Sequence, residues 1–297
     1  MNTSLHAIRK MLTQAVKDFF DDEALRLAAA LSYYASLSLA PLLLVLLTLI
    51  GLFVEREKVG AAIVIQMRDL VGDQGGDVAQ SVVEHAAGPE KSPLAGVLGV
   101  VFLFLGASGV FVQLQTAMNV IWEVKAKPKL GVWGFIRKRL LSLSMLAALA
   151  FLSLVSLAVS AAFAALNQYL LGSIPGSEIL LQFLHGVVSL ILSAALFTFI
   201  FKYLPDATIS WKDVWMGALL TAVLFTVGKT LVGIYLGHSS LGSAYGAAGS
   251  IVVLLVWVYY SSLILLLGAE ITQVYAAARG SRIRPARHAV VKKKAKS

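Results

Sequence analysis

Six long runs of apolar residues constrain this chain more than any other feature. They extend approximately over Leu27–Phe53, Leu94–Val120, Leu140–Leu171, Ile179–Leu204, Val214–Leu236 and Ser250–Tyr275. A helix needs about 20 mostly apolar residues to cross a hydrocarbon core roughly 30 Å thick, and every run meets that length. None shows the polar/apolar alternation of barrel strands, so helices are the only spanning elements that satisfy their own backbone inside lipid. Composition agrees, with 58% hydrophobic and 14% charged residues, against about 45–50% and 25% in soluble domains. The first run does not read as a cleaved signal: it follows about 25 residues that include Asp21, Asp22 and Glu23, whereas a signal has a short basic start and a brief apolar core.

The expected fold class is therefore all-α, a polytopic membrane protein with six transmembrane helices over residues 25–278. Basic residues orient such a bundle. Of the 25 Lys and Arg residues, 20 precede the first run, follow the last, or lie in or at the edge of the second-to-third and fourth-to-fifth connections. Only Arg56, Lys58, Arg68 and Lys91 fall in the first-to-second connection, among seven acids. The split places both termini in the cytoplasm.

Three segments lie outside the runs. In residues 1–24, Leu5, Ile8, Leu12, Ala15 and Phe19 recur at helical spacing, which predicts an amphipathic helix on the inner membrane surface or against cytoplasmic loops. Residues 54–93 predict a short external helical hairpin, with Val59, Ile63, Met67 and Leu70 on one helix, Val78, Val82 and Ala86 on the other, and Gly72–Gly76 as the turn. Residues 279–297 carry eight cations and no acid, a composition that predicts a disordered, solvated tail. Anionic lipid would attract it by about 1 kcal/mol per cation near the surface. No aromatic platform accompanies the charges, so no specific nucleic-acid partner is expected.

Several chemistries lack their residues. With no Cys, and with five His at no ligand spacing, the sequence offers no metal site. Gly228-Lys229-Thr230 resembles the end of a phosphate-binding loop, but Val223 stands where the leading glycine belongs. No catalytic residue, cofactor or ATPase machinery is expected, and the chain does not read as an enzyme.

Polar groups inside the runs are the candidate sites, since an ionisable side chain there costs about 2.5–3.5 kcal/mol on insertion scales. Arg26 and Glu270 both fall at the inner end of the bundle, close enough in depth to pair. Lys229 lies in the outer half of the fifth run, where it either snorkels outward or faces an internal polar cavity. Gln115 and Asn119, four residues apart, share a helix face with hydrogen-bonding capacity. With Ser32, Tyr33, Tyr34, Ser36 and Ser38, ahead of a kink predicted at Pro41, they are expected to line an inward-facing vestibule between the first, second and sixth spans. Gly228 with Gly233, and Gly242 with Gly246, predict close helix approach.

Taken together, Leu27-Ala28-Ala29-Ala30-Leu31-Ser32-Tyr33-Tyr34, Ser38-Leu39-Ala40-Pro41-Leu42, Gln115-Thr116-Ala117-Met118-Asn119-Val120-Ile121-Trp122, Lys202-Tyr203-Leu204-Pro205-Asp206, Tyr245-Gly246-Ala247-Ala248-Gly249-Ser250, Trp257-Val258-Tyr259-Tyr260 and Gly268-Ala269-Glu270 resemble the YihY/virulence factor BrkB family. The resemblance runs from about residue 17 to 278 and leaves out the basic tail. It implies a six-span bacterial inner-membrane protein. Arg26, Asn119, Asp206, Tyr245 and Glu270 fall on its motif positions, and Lys229 lies in a resembling stretch.

The ribonuclease label once attached to the family finds no catalytic cluster here. Family members linked to serum resistance and lipid export suggest two other readings. One is a transporter-like protein that moves or binds an amphiphile; the other is a non-transporting scaffold or envelope-integrity factor. Membrane lipids are the expected partners, with homo-oligomerisation as a further expectation.

The orientation makes a direct prediction. Alkaline phosphatase should be active when inserted near residue 75 and inactive when fused after Ser297, measured as colony phosphatase activity.

Overall fold

The computed structural model describes residues 2–50, 55–71, 73–86, 109–126, 177–238, 249–279, 284–286 and 289–291. The described residues are mostly helical: α1 (Asn2–Asp21), α2 (Ala24–Ile50), α3 (Arg56–Val71), α4 (Asp73–Ala86) and α5 (Gly109–Ile121) are followed by α6 (Ser177–Tyr203), α7 (Trp211–His238) and α8 (Gly249–Ala278). Four short strands complete the order: β1 (Val124–Ala126) after α5, β2 (Ala207–Thr208) after α6, then β3 (Arg284–Pro285) and β4 (Ala289–Val291) after α8.

Stretches of α6, α7 and α8 (Phe183–Tyr203, Trp211–Tyr235 and Ile251–Ala278) are long and apolar enough to cross a membrane. They correspond to the fourth, fifth and sixth apolar runs. Helices of 27, 28 and 30 residues span about 40–45 Å at 1.5 Å per residue, more than the hydrocarbon thickness of roughly 30 Å. Either their ends protrude or they tilt. α2 follows the first run and α5 the C-terminal part of the second; the third run lies outside the described residues.

Packing divides the chain into two units. The first comprises Met1–Asp22, Gln115–Thr226 and Leu265–Ser297; the second comprises Glu23–Leu114 and Val227–Ile264.

In the first unit the N-terminal half of α7 and the C-terminal half of α8 cross antiparallel through matched notches. A Cβ on Gly217 would lie 1.8 Å from Thr272 Oγ1, and one on Gly268 would lie 2.0 Å from Thr221 Oγ1. Each threonine thus fills the space left by the other helix's glycine. Its hydroxyl donates to the carbonyl four residues back, Thr221 to Gly217 at 2.7 Å and Thr272 to Gly268 at 2.6 Å. No buried hydroxyl at the crossing is left without an acceptor. Phe197 of α6 meets Phe225 of α7 edge to face, with centroids 5.5 Å apart.

α1 docks on the same unit. Ala15 and Phe19 are buried, and Ala15 clusters with Ile271 and Val274, against which Met11, Leu224 and Leu267 pack. Of the two settings the sequence leaves open for this helix, this face takes protein packing.

The expectation of a disordered tail is corrected by β3 and β4. β3 pairs antiparallel with β2 (Ala207↔Pro285, Thr208↔Arg284), and β4 pairs with β1 (Val124↔Val291, Lys125↔Val290, Ala126↔Ala289). The tail's cations suggested solvation, but Ala289-Val290-Val291 between them is apolar and β-branched, which suits a pleated surface. Ala289 is buried.

In the second unit α3 and α4 pack as a hairpin beside α2. The connection is shorter than the glycine pattern predicts, because α4 starts at Asp73 and takes Gln74–Gly76 into its first turn. Gly76 lies under the Arg68 side chain, and Arg68 reaches Asp77 at 3.8 Å. α2 remains helical through Pro41, where a kink is predicted, and the hydroxyls of Ser32, Ser36 and Ser38 bond back to carbonyls of their own helix. Gly228 of α7 accepts Ile264 and Tyr260 of α8, whereas nothing lies within 4 Å of a Cβ on Gly233. Only the first of that glycine pair is a close-approach position; Gly242 and Gly246 lie outside the described residues.

Gly217→Ala should destabilise the protein by about 1–3 kcal/mol, the usual range for overpacking. Thr272→Ala should partly relieve that loss, read as a non-additive shift of the unfolding transition in detergent.

Candidate polar site

The densest polar arrangement among the described residues gathers at Asp206, in the first unit. α5 presents Gln115 and Asn119 one turn apart, and α6 ends at Tyr203, so the chain turns through Leu204-Pro205-Asp206 beside them. Asn119 grips Asp206 twice: its Nδ2 donates to Oδ2 at 2.9 Å, and its Oδ1 accepts the Asp206 amide at 2.8 Å. Gln115 Nε2 donates to Asp206 Oδ1 and to the Leu204 carbonyl, each at 3.2 Å. The Asp206 carbonyl accepts the Ala286 amide at 2.9 Å.

The Asp206 side chain is therefore held on both oxygens while its residue is only 4% exposed. Hydrogen bonds to both carboxyl oxygens are what make such burial tolerable. Met118, Ile121, Trp122, Phe201 and Leu204 are buried alongside. Lys202 donates to the Ile209 carbonyl and sits 5.3 Å from the Trp211 ring centroid, which pins the connection into α7.

Two of the residues expected to line a vestibule are thus bonded within the first unit. Gln115 and Asn119 bond to one another's neighbour, Asp206, and to backbone, so the cluster ties α5 to the end of α6 and to the tail. In the second unit Tyr33 and Tyr34 are exposed and meet edge to face, with centroids 5.7 Å apart; Tyr34 also lies over Gly109.

Arg26 and Glu270, expected to pair, fall in different units. Arg26 pairs with Glu23, three residues before it, and its side chain is 74% exposed. Glu23 has φ 54°, the left-handed conformation that ends α1 and starts the turn into α2. Glu270 is 1% exposed within α8. Lys229 is exposed on α7, and Tyr245 lies outside the described residues.

Sequence reasoning missed Asp213. It lies in the first turn of α7, is 2% exposed, and its Oδ2 has no hydrogen-bond partner among the described residues. A carboxylate in a first turn complements the helix dipole, and its place one turn before Gly217 was the available signal. Among the described residues no group of three or more His, Asp or Glu could hold a metal ion.

The sequence matches the profile of the family described as virulence factor BrkB over residues 15–293. The match reaches into the tail, past the expected limit near residue 278. A UPF0761 membrane protein of Pseudomonas paraeruginosa is 31% identical over 261 residues, covering 84% of this chain and 59% of the relative. A UPF0761 membrane protein of Vibrio vulnificus is 32% identical over 263 residues, covering 86% and 77%. The chain thus spans about three fifths of the length of the Pseudomonas relative. No solved structure matches it.

The interaction at Asp206 can be measured by a double-mutant cycle. Asn119→Ala and Asp206→Ala should show a coupling of about 1.5–3 kcal/mol, the range for hydrogen bonds to a charged group. Unfolding in detergent provides the readout, and strictly additive losses would make the contact idle.

Proposed function

The chain belongs to the virulence factor BrkB family of membrane proteins, and on that basis we propose that it moves or accommodates an amphiphile within a bacterial inner membrane. In this reading six helices span the bilayer with both termini in the cytoplasm, and the chain is neither an ATPase nor another enzyme. The lipids around it are its partners.

The observation that carries the proposal is Lys229. It is exposed within the apolar stretch Trp211–Tyr235 of α7, whose other faces carry the exposed Val227, Leu231, Ile234 and Tyr235. An ammonium on such a surface costs about 2.5–3.5 kcal/mol to insert unless it snorkels or meets an anion. An anionic headgroup supplies that anion. Gln115, Asn119 and Asp206 hold helices together in this reading and do not touch cargo. Glu270 is the second group to test, as a buried carboxylate in an apolar helix.

A scaffold or envelope-integrity role is the second reading, favoured by the fully bonded Asp206 cluster and the paired tail strands, which build a fixed cytoplasmic face. Liposomes carrying labelled anionic lipid separate the two. Under the transport reading the wild-type protein accelerates transbilayer movement without nucleotide, and Lys229→Met lowers that rate roughly tenfold, equivalent to about 1.4 kcal/mol. Glu270→Gln tests the second group in the same assay. Wild-type movement no faster than in protein-free liposomes would reject transport and favour the scaffold.

A further inference from the structure

α1 has two apolar faces, and only one is used inside the protein. Met11, Ala15 and Phe19 belong to the face that packs toward α8 and α7, although they and Leu12 look like one stripe in sequence. Leu12, Val16 and Phe20 form a second stripe at i, i+4 and i+8, and they are 43%, 48% and 58% exposed. At about 100° per residue this stripe covers an arc of about 80°.

The charges are distributed unevenly around that arc. Arg9 falls within it, and Lys17 and Lys10 follow about 60–80° beyond Phe20; all three are exposed. Asp18 lies on the other side, where Gln14 Nε2 bonds both its oxygens at 2.9 and 3.0 Å. Asp21, at the helix end, is the one acid bordering the cationic edge.

Depth supports a single occupant. About 20 residues cross a hydrocarbon core of roughly 30 Å, so counting from Ile251, where the apolar stretch of α8 begins, reaches Glu270. The α8 residues beside α1, Leu267, Ile271 and Val274, bracket the level at which α8 leaves the hydrocarbon. On α7, Trp211 and Trp215 are exposed near the same inner end, where interfacial aromatics are enriched.

We propose that the Leu12–Val16–Phe20 face of α1, with Arg9, Lys10 and Lys17, is a docking surface for anionic phospholipid of the cytoplasmic leaflet. The apolar stripe enters the headgroup–acyl boundary while the three cations meet lipid phosphates. This rests on the membrane reading above and adds a second, independently testable lipid contact.

The chain has no native cysteine, so single spin labels report on it directly. Leu12→Cys, Val16→Cys and Phe20→Cys are compared in the full-length protein with Gln14→Cys on the opposite side of α1 and Leu231→Cys on α7. Each is reconstituted into phosphatidylcholine vesicles with and without phosphatidylglycerol. Collisions with oxygen, which concentrates in lipid, are compared with those of a water-soluble nickel chelate.

Labels at 12, 16 and 20 should favour oxygen, as at 231, whereas the label at 14 should favour nickel. Neutralising Arg9, Lys10 and Lys17 together should release the helix in phosphatidylglycerol vesicles, with about a fivefold loss of docked population per cation. Nickel access at 12, 16 and 20 equal to that at 14 would overturn the proposal. So would shielding from both reagents, which would mark a second copy or another protein as the occupant. Nickel access at 231 as well would instead defeat the membrane reading itself.

Discussion

Two glycines filled by two threonines are the contact on which the first unit depends. Lipid tails are as apolar as leucine, so helices inside a bilayer gain little from hydrophobic burial and associate through close packing and hydrogen bonds. Gly217 and Gly268 remove the side chains that would hold α7 and α8 apart, and Thr272 and Thr221 occupy the space. Each hydroxyl is satisfied by its own helix, so the two threonines add no unmet donor to the crossing. α1 then packs around residues contributed by these two helices, and α6 meets α7 through an aromatic pair.

Polar groups in this chain divide by what they touch. Gln115, Asn119 and Asp206 satisfy one another and the backbone, and through Ala286 they attach the tail. Arg26 bonds to the glutamate that ends the preceding turn. These groups explain assembly. Lys229 has a different setting, exposed on an apolar helix, and α1 sets cations beside an exposed apolar stripe. A protein that handles anionic amphiphiles would use both surfaces.

Hydrophobic run length made the long helices legible. The fourth, fifth and sixth runs reappear as α6, α7 and α8, displaced by a few residues at ends where Ser177, Trp211 and His238 are too polar or amphipathic to count as span. Pattern reading works one helix at a time, however, and stops at contacts between distant segments. The Gln115 and Asn119 face was legible on α5, but their partner lies 91 and 87 residues away. The Arg26–Glu23 pair was not read either, although Glu23 stands three residues off with the turn geometry to reach it.

The tail failed for a related reason, since its charge outweighed a short apolar segment that needed β1 as a partner. Gly217-x-x-x-Thr221 and Gly268-x-x-x-Thr272 were readable as small residues one turn apart, but the signal was sought at other glycines.

The α7–α8 crossing can be tested most directly by cysteine cross-linking in native membranes, since the chain has no cysteine background. A Cβ on Gly268 would stand 2.8 Å from Thr221 Cβ, and a disulfide places its Cβ atoms about 3.5–4.5 Å apart, so a small separation of the helices suffices. Thr221→Cys with Gly268→Cys should form an intrachain disulfide under mild oxidation, while Leu220→Cys on the exposed side of α7 with Gly268→Cys should not. Equal cross-linking of the two pairs, or none in the first, would contradict the crossing and the arrangement of helices built on it.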